Sequence, residues 1–329
     1  MNPERATDQT EIETHWPRRV EGARRVLVLA CGALAREILV DKNGLARGVS
    51  IIDRETGREE EIRARIVIAC CATVETARLL LNSKSPAHPD GLGNSSGVVG
   101  RYLHGHSAGS TQMYLKELQA KAPSNQDGAL DQCLIPRWDA KSWRGTYDFQ
   151  VNYSGYMFPF QAHAVRGYGS AFKKRVREMQ SGFLMMGGFC KVTAHPENRV
   201  TVDPNRRDAH GIPIPVVRFR FNEMDREIYT SMRNSAMAMT ERLKGDVTQL
   251  PPEQPSGFAS HENGTVRMGS DPKTSALNSF CQSHDVRNLF VTDGSTFPTS
   301  SEKNPTLTIM ALSLRAADYI KERRKRREL

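Results

Sequence analysis

The run His261-Glu262-Asn263-Gly264-Thr265-Val266-Arg267-Met268-Gly269 decides the fold of this chain, with two later stretches. These are Asn288-Leu289-Phe290-Val291-Thr292-Asp293-Gly294-Ser295-Thr296-Phe297-Pro298 and Lys303-Asn304-Pro305-Thr306-Leu307-Thr308-Ile309. A histidine beside a Gly-Thr turn is a titratable base on a tight, backbone-exposed corner. Leu289 to Thr292 reads as a short apolar strand that ends where Asp293-Gly294 bends the chain. Asn304-Pro305-Thr306 caps a helix whose apolar positions Leu307, Met310, Ala311, Leu314, Ala317 and Ile320 recur at helical spacing. Strand, glycine turn and polar helix N-terminus together make a seat for an electron-rich ligand group.

In their order and spacing these motifs resemble the C-terminal signature of the glucose–methanol–choline (GMC) family of FAD-dependent oxidoreductases. One short motif would be weak evidence; three in order, with an amphipathic helix after the last, are strong. The resemblance implies FAD as cofactor and a small-molecule alcohol as substrate, a sugar or glycoside among the candidates. It also implies a base at His261 and, at Asn304, an amide that donates to the substrate oxygen as charge develops. Asp293, Gly294, Asn304, Pro305 and Thr306 would contact the flavin through backbone and helix N-terminus. Taken singly, His261 is a surface turn residue, Asn304 a helix cap and Asp293-Gly294 a plain turn; their joint order is what favours function.

Composition sets outer bounds. The 329 residues suffice for one large domain or two ordinary ones, and no apolar run approaches the ~20 residues of a membrane span. Met1 to Arg25 is polar and charged rather than a secretory leader, so a cytoplasmic location is expected. The six cysteines show neither metal nor disulfide spacing, and Cys70-Cys71, in an apolar run, reads as buried thiols. The formal charge of +9 owes much to the tail Lys321 to Arg327. A basic helix end opposes the dipole, and no nucleic-acid-binding pattern accompanies it, so no nucleic-acid partner is expected. His104, His106 and His163 do not cluster with carboxylates, so no metal site is expected.

Along the chain, residues 1 to 23 read as loop and the run from Arg24 as strand, ending at the turn Asp41-Lys42-Asn43-Gly44. Ala46 to Asp53 and Glu61 to Ile68 read as strands flanking Glu55-Thr56-Gly57. This meander resembles the hairpin region of the family's FAD domain, which would lay Ala35 against the adenine. Arg65 to Asn82 reads as strand, small-residue turn and helix start, with Ala72 where the family commonly has glycine. A positive φ there would not be met cheaply. Asn94-Ser95-Ser96-Gly97 to Leu103 resembles the family segment that passes the flavin, which assigns Asn94 and Gly97 to the cofactor.

Residues 107 to 180 show no long helical periodicity, and Phe149 to Phe158 alternates as a strand does. Ser181 to Val192, Asn198 to Asp203 and Pro215 to Phe221 read as further strands. A helix over 223 to 243 has Asn222 as cap. The expected class is α+β / α/β. An incomplete, Rossmann-like FAD-binding domain spans 1–103 and 281–329. A substrate domain over 104–280 is built on a mostly antiparallel sheet backed by helices.

The family's Gly-x-Gly-x-x-Gly turn, which seats the FAD pyrophosphate, does not occur in the sequence. A truncated gene product, a split partner or a mis-called start would each look like this. The expected flavoenzyme then needs the missing N-terminal FAD-binding segment. The alternative is a truncated or split non-catalytic subunit that needs a separate N-terminal FAD-binding part and serves assembly only.

Overall fold

The computed structural model describes residues 32–119, 132–136, 146–152, 162, 165–255 and 259–329. The expected loop over 1 to 23, the start of the strand from Arg24, the segment 153 to 158 and His163 lie outside these residues.

Strands β1 (Ala33–Val40), β2 (Ala46–Asp53) and β3 (Glu59–Arg63) form an antiparallel meander. Its turns are built by aspartates: Asp41 accepts from the N–H of Asn43 and Leu45, and Asp53 from those of Glu55 and Thr56. The single strand expected over Glu61 to Ile68 is two. β3 ends at Arg63, and Val67 then donates to the Asn288 carbonyl instead, starting β4 (Val67–Ala69). Helix α1 (Thr73–Asn82) follows.

The chain then lays down β5 (His104–Tyr114), α2 (Lys116–Gln119), β6 (Gln132–Pro136), β7 (Tyr147–Asn152), α3 (Gly169–Met179) and β8 (Phe183–Lys191). The short helix α3 lies within 107 to 180, whose sequence shows no long helical periodicity. Its apolar positions Phe172, Val176 and Met179 recur at helical spacing over only 11 residues and pack, partly buried, against Tyr114, Val165 and Phe183. Next come β9 (Arg199–Arg207), β10 (Pro213–Arg218), α4 (Glu223–Leu243), β11 (Asp246–Gln249), β12 (Ala259–Asn263), β13 (Leu289–Val291) and α5 (Thr306–Lys325).

The largest sheet runs β11-β5-β8-β7-β6 with β12 also on β5, all antiparallel. α4 covers it, burying Tyr229, Met232 and Ala236 against Phe149, Met186 and Cys190. Each such large side chain contributes about 1.5–3 kcal/mol. Gly188 permits the approach, since a Cβ there would stand 2.3 Å from Met232 Sδ. The helix starts as its sequence says: Asn222 and Asp225 form a reciprocal capping box worth about 1 kcal/mol.

β13 pairs with β4 in parallel, and this two-stranded sheet joins a core of Leu79, Leu80, Leu92, Val98, Val266, Leu277, Val286 and Leu289. Asn288 ties it to the meander, donating to the carbonyls of Ala46 and Arg65 and accepting from Ala46 N. β4 has no other strand partner among the described residues. Its far side leaves Ile68, Cys70 and Cys71 exposed, so the expected burial of those thiols does not hold. The stripe of α5 is exposed too, with Leu307 at 78%, Met310 at 58% and Leu314 at 69%. α5 instead docks through Ala316, through Ser313 on the Thr292 carbonyl and through Tyr319, stacked on Phe280.

Candidate active site

β12 is irregular where it carries His261. Ala259 stands opposite His106 and Asn263 opposite His104, so residues 260–262 face Gly105 alone. Such a bulge bends a strand and re-aims a side chain. His261 has φ 105, a conformation that favours glycine and costs about 1–3 kcal/mol in a residue with a side chain. The surroundings hold it: Asn263 Nδ2 donates to the His261 carbonyl at 3.1 Å, and Thr73 Oγ1 to the Glu262 carbonyl at 2.6 Å. A Cβ on Gly105 would stand 2.7 Å from the His261 carbonyl oxygen, so the bulge needs glycine opposite it.

The His261 ring meets side chains from three other segments. Its Nδ1 lies 3.0 Å from His106 Nδ1, and its Nε2 lies 3.4 Å from Asn304 Nδ2. Phe189 leans on the His261 ring at 5.7 Å between centroids and meets His106 edge-on at 6.1 Å. His106 is fully buried, whereas Asn304 is exposed, so the cluster is buried at one histidine and reaches the surface at the amide. Burial lowers the pKa of His261, with Glu262 opposing. Burial also lowers His106; its bond to the Ser301 carbonyl opposes, and the neighbouring His261 lowers it further. Both rings are therefore neutral at pH 7.

The segment from Ser301 to Asn304 is fixed from β7. Asp148 and Gln150, two apart and so on one face of the strand, take Lys303 Nζ at 2.7 Å and Asn304 Oδ1 at 2.6 Å. The expected helix cap is not found: Pro305 occupies the cap of α5 with no side-chain bond. The Asn304 carboxamide is taken by His261 and Gln150. Thr306, Leu307 and Thr308, in the first turn of α5 after Asn304-Pro305, are exposed, and a first turn leaves its N–H groups without a partner inside the helix.

The other sequence-derived positions separate into two groups. Asp293 accepts from Thr76 Oγ1 at one carboxylate oxygen and from Ser295 N and Oγ at the other. Gly294 lies beside the bulge, where a Cβ would stand 2.9 Å from the Glu262 carbonyl oxygen. Asn94 closes its own loop, accepting from Val99 N and donating to the Asp90 carbonyl, and Gly97 turns there at φ 68. Ala35 is exposed on β1 opposite Ile51. His261, Asn304, Pro305 and Thr306 are thus brought together, with Asp293-Gly294 behind them. None of the described hydrogen bonds joins Ala35, Asn94 or Gly97 to that group.

Sequence reasoning missed His106, Asp148, Gln150 and Phe189. The pattern His104-Gly105-His106 in a strand was the one available signal, and the partner of His106 lies 155 residues away.

These residues suit one end of an FAD. The uncapped first turn of α5, beside Asn304, would offer N–H donors to an electron-rich edge of a flavin. A diphosphate cradle is not among the described residues: the strand-to-helix turn from β4 to α1 is Cys70-Cys71-Ala72.

Residues 194–313 match the family model described as GMC oxidoreductase. The chain is 32% identical over 337 residues to 2-methyl-1,2-propanediol dehydrogenase of Mycolicibacterium austroafricanum, covering 95% of this chain and 57% of that protein. It is 28% identical to 6'''-hydroxyparomomycin C oxidase of Streptomyces lividus, covering 89% and 51%. It is 27% identical to the fructose dehydrogenase large subunit of Gluconobacter japonicus, covering 85% and 51%. The chain thus spans about half the length of these relatives. Among solved structures, formate oxidase of Aspergillus oryzae RIB40 shares the fold at TM-score 0.60 and 17% identity, over 89% of this chain and 60% of that one.

Proposed function

From the match of residues 194–313 to the GMC oxidoreductase model we propose that this chain serves the FAD-dependent oxidation of an alcohol CH–OH group. The observation that carries the proposal is the 3.4 Å approach of His261 Nε2 and Asn304 Nδ2, two groups 43 residues apart in sequence, at the exposed side of the cluster. His261, neutral at pH 7, takes the hydroxyl proton at Nε2. Asn304 Nδ2 donates to the same oxygen as it gains charge, in the manner of an oxyanion hole. Phe189 excludes water from the inner side of the imidazole. FAD, when bound, supplies the acceptor for the hydride that leaves the carbinol carbon, so alcohol becomes carbonyl. Thr306, set at the start of α5 by Pro305, would donate its N–H to the flavin.

Two relatives, the 6'''-hydroxyparomomycin C oxidase and the fructose dehydrogenase, support a hydroxyl on a sugar or glycoside as substrate. A propanediol is the smaller alternative.

A second reading is supported by the exposed flank of β4 and stripe of α5. A parallel sheet is ordinarily covered on both faces and rarely stops at two strands. On this reading the chain is a subunit for assembly, completed by a separate N-terminal FAD-binding part, with no turnover of its own. The visible spectrum of the purified chain, alone and co-expressed with such a part, separates the two readings. Bound flavin that is bleached by an added polyol supports the enzyme. A colourless protein in both preparations supports assembly alone.

A further inference from the structure

His106 has the geometry to choose which nitrogen of His261 carries the proton. Its Nε2 lies 2.7 Å from the Ser301 carbonyl oxygen, which can only accept, so the His106 proton sits on Nε2 and its Nδ1 is bare. That bare Nδ1 lies 3.0 Å from His261 Nδ1. Two bare nitrogens would repel at that distance and two N–H groups would clash, so His261 Nδ1 is the donor. The remaining nitrogen, Nε2, then keeps its lone pair and faces the amide of Asn304, whose oxygen is held by Gln150. Every polarity in the series from Ser301 to Gln150 follows from one carbonyl. His106 is fully buried and its two bonds use both ring nitrogens, so no water competes for either.

We propose that His106 is a positioning residue that locks His261 in its Nδ1–H tautomer and so points a free Nε2 at the substrate hydroxyl. The role in catalysis rests on the proposed function above; the tautomer does not, and it can be read on the chain alone. A wrong tautomer would present an N–H where a base is needed, a loss of kcat rather than of KM.

The test is long-range 15N–1H correlation of the histidine rings in the full chain at neutral pH, without cofactor. The expected spectrum has His261 protonated at Nδ1 and bare at Nε2, with His106 the reverse. His106→Asn, whose carboxamide oxygen replaces the Nδ1 acceptor, preserves the His261 pattern. His106→Leu shifts His261 toward Nε2–H. In the flavin-loaded protein, His106→Leu slows alcohol-dependent flavin reduction by about tenfold to a hundredfold, and His106→Asn restores most of it. A wild-type His261 protonated at Nε2 overturns the proposal, as does an unchanged His261 pattern in His106→Leu. If His106→Leu does not fold, the wild-type and His106→Asn spectra still decide. If the tautomer is as stated but neither variant alters flavin reduction, the lock exists and the catalytic reading of His261 fails.

Discussion

His261 combines three features seldom found in one surface histidine: a glycine-like backbone angle, a lowered pKa and a ring touched by a second imidazole. Because burial depresses its pKa, with Glu262 opposing, the neutral base persists to lower pH than in free histidine. The acid limb of kcat/KM is therefore expected at a midpoint below the ordinary 6.5; a limb at or above 7 would contradict it. His104 gives a separate stability prediction. Buried with Nδ1 on the Tyr102 carbonyl, it is lowered by burial from 6.5 to about 4. The folded state then binds fewer protons than the unfolded one between those values. Its contribution is complete above pH 6.5 and lost as pH falls toward 4, by about 3 kcal/mol in all. Urea denaturation from pH 7 to pH 4 should show this loss, and His104→Asn should reduce it. At this scale the sequence made His261 and Asn304 legible because each sits in a local motif. It hid His106 and Gln150, whose importance arises from β5 and β7 meeting segments far along the chain.

Elements were read best where their signals were local. The capping box at Asn222 and the aspartate turns of the meander depend on neighbours within four residues, and the structure has them in place. The split between β3 and β4 was illegible because it depends on Asn288, more than 200 residues away. Ala72 is instructive in another way: it caps α1 at φ 67 and ψ 165, where glycine is at ease. Ala72→Gly should relieve strain and, after the entropy glycine adds to the unfolded chain, stabilise by about 1 kcal/mol, or roughly 2–4 °C in Tm. A lower Tm would refute the strain. Gly105→Ala should do the opposite, pressing a methyl into the His261 carbonyl. Loss of alcohol-dependent flavin reduction with a lowered Tm is the expected outcome of that variant.

For the whole molecule, the decisive fact is what is left uncovered. The stripe Leu307, Met310 and Leu314 lies on the helix that follows Asn304, and β4, beside exposed Ile68, has no second strand partner among the described residues. Replacing Leu307 and Leu314 with Gln should leave the Tm of the isolated chain within about 1 °C, since exposed side chains contribute little to it. The same pair should weaken co-purification with a co-expressed N-terminal FAD-binding part. Retention undiminished by both substitutions would show that this face is not the contact. The helical spacing of the stripe was plain in the sequence, but periodicity reports only that a face is apolar and not what covers it.

The central claim is that His261 takes the substrate proton. It is tested most directly by stopped-flow reduction of bound flavin by an alcohol in the flavin-loaded complex carrying His261→Ala. The predicted result is a reduction rate lower by about 10²–10⁴-fold, with the flavin spectrum retained. A rate equal to that of the unsubstituted protein, with flavin equally bound, would contradict the account.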